Sequence, residues 1–187
     1  MKNFFETLSN IWKIKELRDR ILLTLALLAV YRLGSFIPLP GVDEMKLIGL
    51  NEAASNNGLL GLLNSFTGGA FAHAAILGLG VMPYISASIV VQLMAFAVPA
   101  LQKLQKDGES GRKQLTQITR WLTIAIAAVQ GFSYIVAIDS QYHIVAQGIS
   151  MPAFYVCSVV LLVTGTMFTM WLGERITEKG VGQGVSL

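Results

Sequence analysis

Val81, Ile85, Ser88 and Gln92 recur at spacings of four, three and four residues. On a helix turning 100° per residue their side chains fall within about 60° of one another. The stripe they form is aliphatic in its first half and polar in its second. Two uses suit it. It can be the wall of a pore where a hydrophobic constriction gives way to a wetted vestibule, or a packed face whose Ser88 and Gln92 hydrogen-bond across to a neighbouring helix. The spacing leaves both readings open.

The remaining reactive side chains form no site. Cys157 is the single cysteine and lies in an apolar run, which suits packing and allows no disulfide or metal centre. His73 and His143 stand apart from any Cys, His or carboxylate at ligand spacing, so no metal is expected. No Ser/His/Asp set is present, and the apolar segments contain no acidic residue. The expectation is therefore no catalytic residue, no cofactor and no enzyme; a proton-coupled carrier and an intramembrane aspartyl protease are disfavoured on the same ground. Gly180, Gly182 and Gly184 follow no strand and precede no Lys-Ser/Thr pair, unlike a phosphate-binding loop. They read as a flexible lead into a further span.

The elements that must carry the stripe follow from hydropathy and charge. Apolar residues make up 53% of the chain and charged residues 13%, where a soluble domain usually has about 25% charged. Mean hydropathy is +0.59. A membrane span takes about 20 apolar residues, and the pattern predicts spans at about 21–38, 75–98, 119–138 and 151–172. No A-x-A-like cleavage site follows the first, so it is expected to remain in place. Basic residues cluster at Lys2, Lys13, Lys15, Arg18 and Arg20, at Lys103, Lys106, Arg112, Lys113 and Arg120, and at Arg175 and Lys179. With a cytosolic N-terminus, that threading puts twelve of the fourteen Lys and Arg residues on the cytosolic side. Lys46 lies in an outer loop, and Arg32 is about 18 Å into the first span. Arg32 must snorkel outward or find a partner, and snorkelling is the expectation. The net charge of +3 matches attraction to anionic lipid. No aromatics are interleaved with it, so nucleic acid is not an expected partner. Residues 108–113 read as a solvated cytosolic loop.

Residues 53–102 contain no Lys, Arg, Asp or Glu. The threading allows this run only one crossing, which leaves the apolar piece 58–66 to be explained. As a helix it would be about 14 Å long, roughly half the hydrocarbon thickness. It is either a re-entrant element in a funnel open to the outside, where non-helical backbone at membrane depth is tolerated, or an interfacial helix on the outer leaflet.

Five blocks carry a family resemblance: GSFIPLPG from Gly34, SFTGGA from Ser65, LGVMPYISASIVVQL from Leu79, GESGRK from Gly108, and LVTGTMFTMWLGERITEKGVGQGVS from Leu162. In this order they resemble the bacterial SecY family, the central subunit of a protein-conducting channel, over nearly the whole chain. The resemblance implies an all-α polytopic transmembrane bundle, the N-terminal half of a pseudo-symmetric channel in the bacterial cytoplasmic membrane. It implies a constriction at Val81, in place of the family's usual Ile, and Ile85. It implies a plug formed by Asn57, Gly58, Leu59, Leu60, Gly61, Leu62, Leu63, Asn64, Ser65, Phe66, Thr67, Gly68, Gly69 and Ala70. Ser88, Gln92 and Gln130 would give the polar lining of a lateral gate. The small plug residues suit close packing without strong anchorage. Implied partners are the SecE and SecG subunits, the SecA motor and the ribosome, signal peptides and unfolded precursor chains, and membrane lipid. The chain is expected to supply four spans and the start of a fifth from about 185, with the C-terminal half of the channel absent, so that alone it would not form a pore. Half of a secondary transporter is the other functional reading, but the midplane ionisable group it needs is not visible. A purely structural membrane subunit is the third.

Overall fold

The computed structural model describes residues 14–43, 46–49, 52, 58–146 and 148–184. Lys2, Lys13, Asn57 and the expected fifth span from 185 lie outside these residues, as do the side chains of Leu59, Leu60 and Leu63. The elements in order are α1 (Lys15–Gly34), α2 (Gly58–Phe66), α3 (Met82–Ala97), α4 (Pro99–Lys106), α5 (Gly108–Tyr142) and α6 (Met151–Lys179). The fold class is all-α; among the described residues the only extended pairings are two isolated antiparallel bridges, Pro38 with Ala75 and Val42 with Val145.

Proline and glycine set the helix limits, and several differ from the sequence expectation. The span expected at 75–98 is helical only from Met82 to Ala97. Pro83 in the first turn has no N–H to give and a preset φ, so it favours a helix start at that point. Pro99 forces Val98 into extended geometry and ends α3. The chain bends there by 102° into α4. The span expected at 21–38 stops at Gly34, where Ser35 caps the helix three residues ahead of Pro38. Residues 108–113, expected as a loop, instead begin the 35-residue α5. Glu109 in the first turn complements the helix dipole and pairs with Lys113 at 3.7 Å. Helix α6, expected as the fourth span, runs past 172 to Lys179.

Helices α5 and α6 are each long and apolar enough to cross a membrane, and α3 with α4 counts as a third crossing if the bent pair is one span. Every stretch of α1 long enough to cross includes Arg18, Asp19, Arg20 and Arg32. The protein is a multi-pass membrane protein whose frame is α3, α5 and α6, with α1 laid against α6.

Between α2 and α3 the chain is a buried coil rather than the expected helix. Ala70, Ala74 and Ala75 are wholly buried. Such backbone is tolerated at membrane depth only when its polar groups are paired within the protein. Here they are. Leu39 N–H donates to the Ala74 carbonyl at 2.9 Å and Ile76 N–H to the Ile37 carbonyl at 3.0 Å. The Tyr134 hydroxyl donates to the Phe71 carbonyl at 2.9 Å. Glycine makes the approach of α6 possible, since a Cβ at Gly165 would collide with the Ile76 carbonyl. Ile135, Ile138, Phe154 and Leu162 complete the core between α5 and α6.

Two polar positions depart from expectation. Asp139, one residue past the expected third span, is buried and accepts the Tyr155 hydroxyl at 2.7 Å. Cys157 is exposed on α6 rather than packed in the core.

Replacing Gly165 by leucine should push α6 off the coil and destabilise the full-length protein by about 1–3 kcal/mol, as over-packing does. Tyr134→Phe should cost about 1 kcal/mol, because the Phe71 carbonyl keeps its bond from Ala74 N–H and loses only the hydroxyl. Thermal unfolding of the detergent-solubilised protein checks both; an unchanged midpoint for Gly165→Leu would contradict the close approach.

Candidate functional site

Helix α2 ends in a glycine turn that its sequence dictates. Gly68 at φ +62° takes the left-handed position past the helix end, and Gly69 follows at φ +94°. Gly69 N–H donates to the Asn64 carbonyl at 2.8 Å and Gly68 N–H to the Ser65 carbonyl at 3.2 Å, the paired bonds of a Schellman turn. Asn64 stiffens the turn further: its Oδ1 accepts Ala72 N–H at 3.1 Å. The buried Thr67 hydroxyl accepts Phe71 N–H at 3.1 Å.

Two neighbouring side chains of α1 reach the turn. The Tyr31 hydroxyl donates to the Thr67 carbonyl at 3.0 Å. The Arg32 guanidinium donates to the Gly68 carbonyl and lies over the Phe36 ring, 5.1 Å from its centroid. Arg32 therefore pairs with backbone instead of snorkelling, and it brings positive charge to the negative end of the α2 dipole. Among the described residues α2 packs against no other helix. The small residues expected to leave this segment without strong anchorage are, at the turn, held by hydrogen bonds. Tyr31 is not singled out by the sequence reading; a Tyr-Arg pair inside an apolar helix is the signal that could have found it.

Val81 and Ile85 border a cavity of about 400 Å³. Tyr31 joins them from α1, Ser65 and Phe66 from α2, and Leu172 and Ile176 from α6. Among the described residues no charged side chain lines this cavity, and those that do line it offer an apolar wall and shape. Phe66 is largely exposed beside it.

The polar half of the stripe faces elsewhere. Gln92 Nε2 donates to Ser88 Oγ at 3.1 Å along α3. Both residues border a second cavity, of about 420 Å³, with Tyr84, Gln105, Arg112 and Thr116. Gln130 lies in a third, of about 650 Å³, with Thr67, Phe71, Met82 and Tyr134. The structure thus does not bring Gln130 together with Ser88 or Gln92. The reason is direction: α5 runs antiparallel to α3, so Gln130 is level with the start of α3 while Ser88 and Gln92 are level with the start of α5. Arg120, expected simply as a cytosolic charge, grips Glu174 of α6 with Nη2 at 2.6 Å and Nε at 3.3 Å. The glycine run after α6 is docked rather than loose. Val181 N–H donates to Thr24 Oγ1 at 3.0 Å and Gly184 N–H to Thr177 Oγ1 at 2.9 Å.

Comparison with known proteins agrees with this architecture. The family model described as SecY matches residues 75–187. A protein translocase subunit SecY of Haemophilus influenzae is 45% identical over 172 residues, covering 92% of this chain and 38% of the relative. Its counterpart in Escherichia coli K12 is 44% identical over 175 residues, covering 92% of this chain and 39% of the relative. That of Rickettsia typhi is 40% identical over 190 residues, covering 100% of this chain and 42% of the relative. The chain thus spans well under half the length of these curated relatives. A family model matched across all of α3 to α6, with relatives aligned over nearly the whole chain, establishes that this chain belongs to the SecY family.

Proposed function

We propose that this chain contributes one wall of a protein-conducting channel, the pore of a Sec translocase through which unfolded secretory polypeptides cross the bacterial cytoplasmic membrane. The observation that carries the proposal is the shared cavity in which Val81 and Ile85 meet Ser65 and Phe66 of α2. In this reading Val81 and Ile85 belong to the constriction, and residues 57–70 are the plug that closes it. The rest of the ring comes from the portion of the family's length that this chain does not span.

The chemistry of the wall suits such a substrate. β-Branched aliphatic side chains enclose a moving chain without specific hydrogen bonds, so many sequences can pass, and an empty apolar constriction dewets and resists ions. Specificity arises from partition. Each central Leu, Ile, Phe or Val of a signal segment favours lipid by roughly 0.3–0.6 kcal/mol, so a sufficiently apolar segment leaves sideways. Ser88 and Gln92 would line the polar approach to that exit. Gln130, level with Thr67, serves the seat of the plug in this reading rather than the gate.

The basic residues of α4, of the start of α5 and of the end of α6 support a cytosolic N-terminus, since they gather at one end of the bundle. SecE and SecG would complete the membrane assembly, with the SecA motor or a ribosome supplying the precursor. The work of this chain is passive conduction and needs no cofactor.

A photo-reactive residue at position 85, in membranes holding the complete translocase, tests the reading. With a precursor arrested midway, adducts to its mature region are expected. Adducts confined to lipid and neighbouring spans while the precursor is demonstrably arrested would contradict it.

A further inference from the structure

The plug helix and its base differ sharply in how they are held. From Ala70 to Ala75 the coil is tied by backbone bonds to residues 37–39 and by Tyr134 to α5. Helix α2 packs on no other described helix, and Leu62 and Phe66 are exposed. The change from held to unheld chain falls at Thr67 and Gly68. Gly68 and the next residue, Gly69, have positive φ and could not be replaced by ordinary side chains without strain. This is a hinge by geometry; Tyr31 engages the carbonyl of Thr67, just before it, and Arg32 the carbonyl of Gly68, its first residue.

We infer that Arg32 and Tyr31 form the latch that holds the plug shut, positioning residues that set how readily the channel opens; the inference rests on the reading of residues 57–70 as a plug. The two donors are adjacent on one helix and the two acceptors adjacent on one turn, so a rotation of α2 about Gly68 and Gly69 breaks both bonds together, along with the bond from Ala72 N–H to Asn64 Oδ1 that crosses the same turn. Arg32 contributes charge as well as hydrogen bonding, because the C-terminal end of α2 carries the negative pole of its dipole. A shorter cation could keep the attraction but not the reach and planar fork of the guanidinium. Tyr31 gives the latch its trigger. Its ring borders the same cavity as Val81 and Ile85. An apolar segment entering that cavity competes for the space the tyrosine occupies, and displacing the ring draws its hydroxyl from the Thr67 carbonyl. Entry of substrate and release of the plug are thereby the same event.

The test uses the full-length chain assembled in its translocase, in membrane vesicles, with two readouts. One is ion leak through the idle channel; the other is export of a precursor whose signal segment has been made less apolar. Arg32→Gln should raise the leak roughly tenfold, the scale of one charged hydrogen bond lost from the closed state. Tyr31→Phe, which removes a single hydroxyl, should raise it a few-fold, and Arg32→Lys should fall between Arg32→Gln and the parent. All three should export the weakened precursor better than the parent does, a gain that simple misfolding cannot produce. Deletion of residues 58–66 supplies the reference. If that deletion raises the leak while Tyr31→Phe and Arg32→Gln stay as tight as the parent, the latch is wrong and the plug stands. If the deletion itself leaves the leak unchanged, the plug reading fails and the latch with it. Should Arg32→Gln not assemble, Tyr31→Phe decides alone: a higher leak with better export of the weakened precursor sustains the latch, and parental values overturn it. Loss of export for both normal and weakened precursors, without added leak, would also overturn it by showing that the pair only supports folding.

Discussion

An arginine inside an apolar helix has to be satisfied, and much of the architecture around α2 follows from how this one is. Arg32 cannot be neutralised in a protein, and its guanidinium carries five donors. In water those donors would be solvated; in lipid each unmet one is costly. The structure meets the demand with backbone, the Gly68 carbonyl at the end of a half-length helix, and with the face of Phe36. That choice ties α1 to a segment 36 residues further along the chain. It also requires a carbonyl to be free at that point, which the glycine turn provides.

The same economy runs through the coil between α2 and α3. Non-helical backbone in a membrane bundle has to be narrow and fully paired. Alanine and glycine supply the narrowness: Ala70, Ala72, Ala74 and Ala75 are buried, and Gly165 of α6 lets the helix approach the Ile76 carbonyl. Pairing comes from the stretch 37–39 after α1 and from Tyr134. A rigid base next to an unpacked helix is what a movable closure needs, because the energy of holding and the freedom to move are then assigned to different residues.

Much of this was legible in the sequence, and the misses share a cause. The long uncharged run, the isolated piece 58–66 and the clusters of basic residues are composition signals, and they mark segments without reference to neighbours. Helix limits were less legible. Pro83 and Pro99 shorten α3 at both ends, and the hydropathy that suggested residues 75–98 is blind to missing N–H groups. The tertiary pairs were hardest to see. Arg32 with Gly68, and Arg120 with Glu174, join positions far apart in sequence, and only packing decides them. The family resemblance grouped Gln130 with Ser88 and Gln92 as gate lining, whereas the antiparallel course of α5 sets it at the other end of α3.

The central claim is that α2 is a closure that shares a cavity with Val81 and Ile85 and is free to leave it. The most direct measurement is a distance between spin labels at Leu62 on α2 and Gln141 on α5, with Cys157 replaced by serine, in the complete membrane assembly. The idle channel should show one narrow distance, and a precursor arrested in transit should shift most molecules to a second, separate one. A single unchanged distance in both states would mean that α2 is a fixed part of the bundle, and the account of the site as a plugged pore would be contradicted.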